Sequence, residues 1–491
     1  MKTVMFGLGT AWEWLLRIAI GGAYVFSASY ADAQITPDRT LPNNSNVIIN
    51  GSIFNITGGT QAGRNLFHSF QQFSVPNGGT ASFNNGLDVL NIISRVTGGS
   101  VSNIDGLIRA NGAANLFFLN PSGIVFGPNA QLNVGGSFVG STANAIQFGN
   151  MGIFSASTPN TPSPLLTINP SALLFTQINP GVITNQSQGP AQQDLTGQNV
   201  TGLRVPDGRS LLLVGGNINI DGGGLRAYGG NIELTGLAAP GSVGLNIVGN
   251  SLTSIVPNNV QRADVSLNNG AEVNVRGANG GDIKIQARNL NLAGQSKLRA
   301  GIESSLSTPD SRGGNVEINA TGTTNLTEQS VISNSLREQS SGKTGDVNIT
   351  TGSLNLSKDA LINVSTLGKG DAGNIFIQAS NAVSLVDSNT AIYSSVTSGA
   401  VGNGGRLNIN ADSLTLTDGA SLGTDVVGAL GTLSPGLGNG GNINIKVRSL
   451  SLNNGSQLSS GTSGQGNAGS ISIQATDLVS FANLTSCTRK K

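Results

Sequence analysis

Residues able to do chemistry are sparse in this 491-residue chain. It holds one histidine, His68, and one cysteine, Cys487. A metal centre needs several His, Cys or carboxylate ligands brought together, and His68 instead lies among Phe67, Phe70 and Phe73. A packed imidazole is the expectation there. A polysaccharide lyase or hydrolase needs carboxylates clustered on one face. The best candidates, Asp282, Asp346 and Asp371, stand beside glycines at places where equivalent segments carry Asn315, Asn374 and Asn442. An exchange of Asp for Asn suits a turn better than an acid. The stretch GLGNGG at 436–441 fits the dinucleotide glycine pattern in spacing only, since it precedes a strand pattern and opens no helix. No catalytic group, no metal and no cofactor is assigned, and the chain is read as not an enzyme.

The elements behind these residues are set by a repeat. Two small residues followed by an alternating apolar segment recur as GGDIKI from 280, GGNVEI from 313, TGDVNI from 344, AGNIFI from 372, GGRLNI from 404, GGNINI from 440 and AGSISI from 468. The second small residue falls at 281, 314, 345, 373, 405, 441 and 469, in steps of 33, 31, 28, 32, 36 and 28. A period near 30 marks a solenoid. Each repeat carries two further short segments alternating at period two, so one face is buried and the other is wet. The economical solution is a parallel β-helix in which each repeat is one coil and Gly and Asn take the corners. About 14 to 16 coils at 4.8 Å give a rod on the order of 70 Å. A β-propeller is the rival, but its repeats are longer.

Composition agrees with an all-β chain: glycine supplies 70 residues and charged residues only 10%. The net charge is +1 with no basic stripe, so no nucleic-acid partner is expected. Residues 1–33 differ from the rest. Lys2 and Arg17 flank a stretch with Trp12 and Trp14, Ile18 to Phe26 is mostly apolar, and Ala31-Asp32-Ala33 is an A-x-A site. This reads as a secretory signal peptide with an extended front end. With a single cysteine, the chain can form no intramolecular disulfide.

Residues 34–185 have a denser vocabulary: GRNLFHSFQQFSV at 63–75, NIISRVTGG at 91–99, SNIDG at 102–106 and ANLFFLNPSGIVFG at 114–127. In this order they resemble the secretion domain of filamentous haemagglutinin-type exoproteins of two-partner secretion, in their cyanobacterial branch. The resemblance implies a right-handed parallel β-helix with an atypical N-terminal capping and secretion region. It also implies an outer-membrane β-barrel transporter as partner, passage through the periplasm after Sec export, and a secreted or cell-surface location. The family's Asn-Pro-Asn-Gly-Ile signature stands here as Asn120-Pro121-Ser122-Gly123-Ile124, with Ser at the third position. Its Asn-Leu element is matched by Asn115-Leu116, with Asn65-Leu66 an earlier candidate, neither preceded by Asn-Pro. These nine residues are the expected transporter-recognition motif.

The resulting division is signal peptide 1–33, secretion domain 34–185, continuing β-helix 186–262, repeat passenger 263–486 and an uncapped tail 487–491. The interrupted eighth repeat suggests a truncated product or part of a longer passenger. By resemblance the rod is adhesin- or haemagglutinin-like, with a glycan or other cell-surface ligand. The alternative is a β-helix polysaccharide-active enzyme. No aromatic platform for sugars is evident in the sequence.

Overall fold

The computed structural model describes residues 34–159 and 162–483. The signal peptide read at 1–33 and the tail at 487–491 lie outside these residues. The described chain is all β, a parallel β-helix with three faces. One coil shows how the alternation builds it. Ile283–Ala287 lies on the first face, Leu290–Leu292 on the second and Lys297–Ile302 on the third. Each pairs in parallel with its counterpart one repeat later: Ile283 with Val316, Leu292 with Leu326, Leu298 with Ile332. Ile283, Ile285, Leu290, Leu292, Leu298 and Ala300 point inward and are fully buried in one continuous core. Burying each of the larger ones is worth about 1.5–3 kcal/mol. The parallel pairing disposes of the propeller.

Glycine has two different duties in the repeat. The expectation of special backbone angles holds at two corners: Gly402 and Gly438, ahead of the first face, have φ of 155° and 146°, and Gly419 and Gly455, between the second and third faces, have φ of 86° and 74°. The second small residue of each repeat is required for another reason. A Cβ on Gly405 would lie 1.9 Å from the carbonyl oxygen of Gly373, one coil away. Close approach between coils, not handedness, excludes a side chain there.

Thirteen strands stack on the first face, from Asn65–Phe73 to Ile471–Ala482. At 4.8 Å per strand the stack is about 58 Å tall. It is shorter than the sequence suggests because two excursions leave the helix and build a side sheet. That sheet runs in the order Ile153–Ser155, Ala145–Gln147, Ala172–Phe175, Gly241–Val248, Ser251–Ile255, all antiparallel. It covers the outer surface of the first face over a second core containing Phe67, Phe117, Phe148, Phe154, Leu173 and Val243. This explains the denser vocabulary. Asn115–Leu119 and Leu211–Gly215 are buried on both sides, and such strands need apolar runs instead of alternation.

The N-terminal end is closed by antiparallel strands. Ile35–Pro37 and Thr60–Ala62 pair with Asn65–Phe73, and Ser45–Asn50 pairs with Ile53–Gly58. Unpaired sheet edges are thereby covered.

Candidate transporter-recognition site

The segment Asn120–Ile124 turns the chain from the first face to the second. Gly123 N–H donates to the Asn120 carbonyl at 3.1 Å, closing a four-residue turn with Pro121 at its first central position. The Asn120 side chain ties this turn to its neighbours. Its Oδ1 accepts from Ser122 N–H at 3.0 Å, while its Nδ2 donates to the Ser100 carbonyl and Ser102 Oγ, both at 2.9 Å, in the preceding coil. Gly123 has φ of 127°, and a Cβ there would sit 3.1 Å from the Val182 carbonyl oxygen. Ile124 enters the core and pairs with Ser102 on one side and Ile183 on the other. Asn120, Gly123 and Ile124 are buried; only Pro121 and Ser122 are partly exposed.

Asn65 and Asn115 belong to a buried amide ladder whose middle rung, Asn91, the sequence reading missed. The three are in register at the start of successive first-face strands. Asn91 Nδ2 donates to Asn65 Oδ1 at 2.8 Å, and Asn115 Nδ2 to Asn91 Oδ1 at 2.9 Å. Both ends are anchored. Asn65 Nδ2 donates to the Leu166 and Ile168 carbonyls at 2.8 and 2.7 Å, and Asn91 Nδ2 also reaches Asn169 Oδ1 at 3.1 Å. At the other end Asn115 Oδ1 accepts from Ser137 N–H at 2.8 Å, Ser137 Oγ from Ser210 N–H at 3.0 Å, and Ser210 Oγ from Leu252 N–H at 2.9 Å. This polar spine joins the helix to both excursions. A signal for Asn91 existed, since Asn65-Leu66-Phe67, Asn91-Ile92-Ile93 and Asn115-Leu116-Phe117 repeat Asn–aliphatic–apolar at steps of 26 and 24. Leu66 and Leu116 face the main core.

The sequence model of the TPS secretion domain matches residues 33–285. The chain belongs to this family. The match, 253 residues by subtraction, takes in the 34–185 block, the 186–262 continuation and the first Gly-led strand. TPS secretion domains serve exoproteins exported with a partner outer-membrane transporter, so this chain is one that is secreted or displayed at the cell surface. Among solved structures it is similar to the HMW1 secretion domain from Haemophilus influenzae, at 18% identity and TM-score 0.57, covering 90% of this chain and 99% of that one. A filamentous hemagglutinin secretion domain matches at 14% identity and TM-score 0.30, over 91% and 97%. No curated protein matches.

Two buried titratable groups brace the secretion domain. His68 is packed, as expected. Its Nδ1 is 3.0 Å from Ser45 Oγ, its ring lies 5.3 Å from that of Phe83, and burial lowers its pKa to about 3. Arg95, on the opposite side of the first face, is fully buried against the second core. Its guanidinium stacks 4.0 Å from the Phe154 ring centroid and donates to Ser69 Oγ, Thr40 Oγ1 and the Ser155 carbonyl at 2.7–2.8 Å. Burial lowers its pKa to about 10, so it stays charged at neutral pH. Asp38 receives bonds from Ser69, Thr40 and Thr97, which hold its carboxyl below the ordinary value against the cost of burial. Cap, first two coils and side sheet meet at this network.

The aspartates weighed for catalysis sit in corner ladders. Asp282 Oδ1 accepts from Asn315 N–H at 2.6 Å, Asn315 Oδ1 from Asp346 N–H at 2.9 Å, and Asp346 Oδ1 from Asn374 N–H at 2.8 Å. Asp371 Oδ1 accepts from Asn403 N–H at 2.8 Å in a parallel ladder. Asp and Asn exchange there because either supplies the oxygen that accepts the next coil's backbone N–H; Asn374 and Asn403 add a second bond, from Nδ2 to Asp346 Oδ1 at 3.0 Å and to Asp371 Oδ1 at 2.9 Å. The glycines at 436–441 form a corner and lead into Ile443–Asn453. Among the described residues no three His, Cys, Asp or Glu side chains group as metal ligands.

Proposed function

We propose that this exoprotein is a non-enzymatic adhesin whose rod presents a glycan- or cell-surface-binding face. It reaches the periplasm by Sec export through its 1–33 signal peptide. The observation that carries this reading is continuity. The matched secretion domain passes by continuous parallel pairing into Gly-led coils as far as Ile471–Ala482, with one register shift, between Val447 and Ser449 in the last pair, so export module and displayed rod are one stack. Corner carboxylates engaged by backbone N–H groups argue against the polysaccharide-active alternative.

Recognition elements are assigned to 34–185, at Asn65, Leu66, Asn115, Leu116 and Asn120 to Ile124. Since seven of these nine are buried in the folded coils, we take the transporter to read this segment before the coils close, when its edges are free for strand addition. The test is secretion of the tagged chain in a Gram-negative host with and without a barrel partner, beside Asn120→Ala/Pro121→Ala. Release that needs both partner and intact turn supports the assignment. Partner-independent release, or a variant exported like wild type, refutes it. Adherence of displaying cells to a target surface tests the adhesin role separately.

A further inference from the structure

The outer surface of the first face, beyond the side sheet, is lined by outward residues in two rows. One row runs Asn348, Phe376, Asn408, Asn444 and Ser472; the other runs Thr350, Gln378, Asn410, Lys446 and Gln474. Amides on such rows normally bond along the stack, and they do so here. Asn444 Nδ2 donates to Asn408 Oδ1 and Asn410 Nδ2 to Gln378 Oε1, both at 2.9 Å. Phe376 interrupts the first row. Phe376 is 40% exposed and lines a shallow recess of about 320 Å³. Among the described residues, the Asn408 and Gln378 amide nitrogens beside it have no protein acceptor, and the Asn410 and Asn444 amide oxygens have no protein donor.

We propose that this recess around Phe376 is a binding site for a neutral glycan. An exposed phenyl ring offers an apolar plate for the C–H face of a pyranose, and the unpaired amide groups match sugar hydroxyls as both donors and acceptors. Lys446 is the one charged side chain lining the recess, enough to pair a single acidic group but not the repeated charges of a polyanionic chain, while the amides around it suit neutral hydroxyls. A protein partner would need an apolar patch much broader than a single ring. The site rests on the adhesin reading and gives it a place and a ligand class.

Residues 34–491 contain no tryptophan, so Phe376→Trp places their single tryptophan in the recess, excited apart from Tyr228 and Tyr393, while keeping an aromatic plate. Titration with cellohexaose, xylohexaose and chitohexaose should produce a saturable change in its emission for at least one of them. Saturation-transfer NMR on the wild-type chain should show the same sugar bound, with on the order of tenfold weaker binding in Phe376→Ala, given the value of burying one aromatic side chain. No saturable response to any of the three, or equal binding by a folded Phe376→Ala chain, overturns the site. Adherence of displaying cells is scored in parallel. Adherent cells without sugar binding defeat the site alone, whereas sugar binding without adherence defeats the adhesin role and leaves the site standing.

Discussion

The buried asparagines Asn65, Asn91 and Asn115 of this secretion domain are joined end to end, so removing one orphans its neighbours. Asn91→Ala would strip partners from Asn65, Asn115 and Asn169 at once. We expect a loss of about 2–4 kcal/mol in urea unfolding, against no more than about 0.5 kcal/mol for the exposed Asn103→Ala. His68 sets a pH dependence. Its folded pKa lies below the unfolded value of 6.5, so its stabilisation is complete above pH 6.5 and is lost as pH falls toward 3, at up to roughly 1.4 kcal/mol per unit. Glu233, buried beneath Ser254 with its pKa raised, acts in the opposite sense. The difference between wild type and His68→Phe isolates the imidazole: the variant's stability should fall less steeply below pH 6.5. A parallel fall in both would refute this. At this scale the sequence disclosed which residues were packed or turning, including His68 and the corner aspartates. It hid the ladder, because a buried Asn and an exposed Asn are the same letter until strand register is known.

Among elements, the Gly-led strands were fully legible, since inward and outward positions alternate at period two and each coil repeats the last. The side sheet was not. Its strands are short, and Ala172–Phe175 finds its partner Gly241–Val248 about 70 residues away, a pairing with no local periodicity. That sheet crosses residue 185, which gives the folded unit a longer extent than the 34–185 recognition block. A fragment of residues 34–285 should unfold cooperatively, whereas 34–185 should lack a cooperative transition and expose Leu173 and Phe175 to dye and protease. Equal cooperativity for the two would contradict the structure. In the rod, Gly405→Ala forces a methyl against the Gly373 carbonyl. A cost of about 1–3 kcal/mol or more is expected, measured as a lowered Tm with coils 373–441 opening first in hydrogen exchange.

For the whole molecule, the stack predicts a rigid rod. Small-angle scattering should give a long dimension near 60–70 Å for the folded coils, in keeping with about 4.8 Å per strand; a compact, near-spherical profile would contradict it. Fold class was open to the sequence because a solenoid's contacts are mostly between neighbouring repeats. The number of coils was not, because nothing in the composition marks residues 142–182 and 241–262 as leaving the helix.

In the Gly-led coils from Ile283 onward, length differs almost entirely at one corner. From the third-face strand to the next first-face strand takes 14 residues after Leu361 but 22 after Ser421, by subtraction of strand starts, while the path from first to third face stays within 14–16. The long version projects Leu430–Leu433 as a small exposed bend, and a Cβ on Gly431 would meet nothing within 4 Å. Chain length there is decoupled from stacking. A foreign peptide inserted after Gly431 would hang from the rod as a pendant, displayed outside the cell without disturbing the coils that carry it.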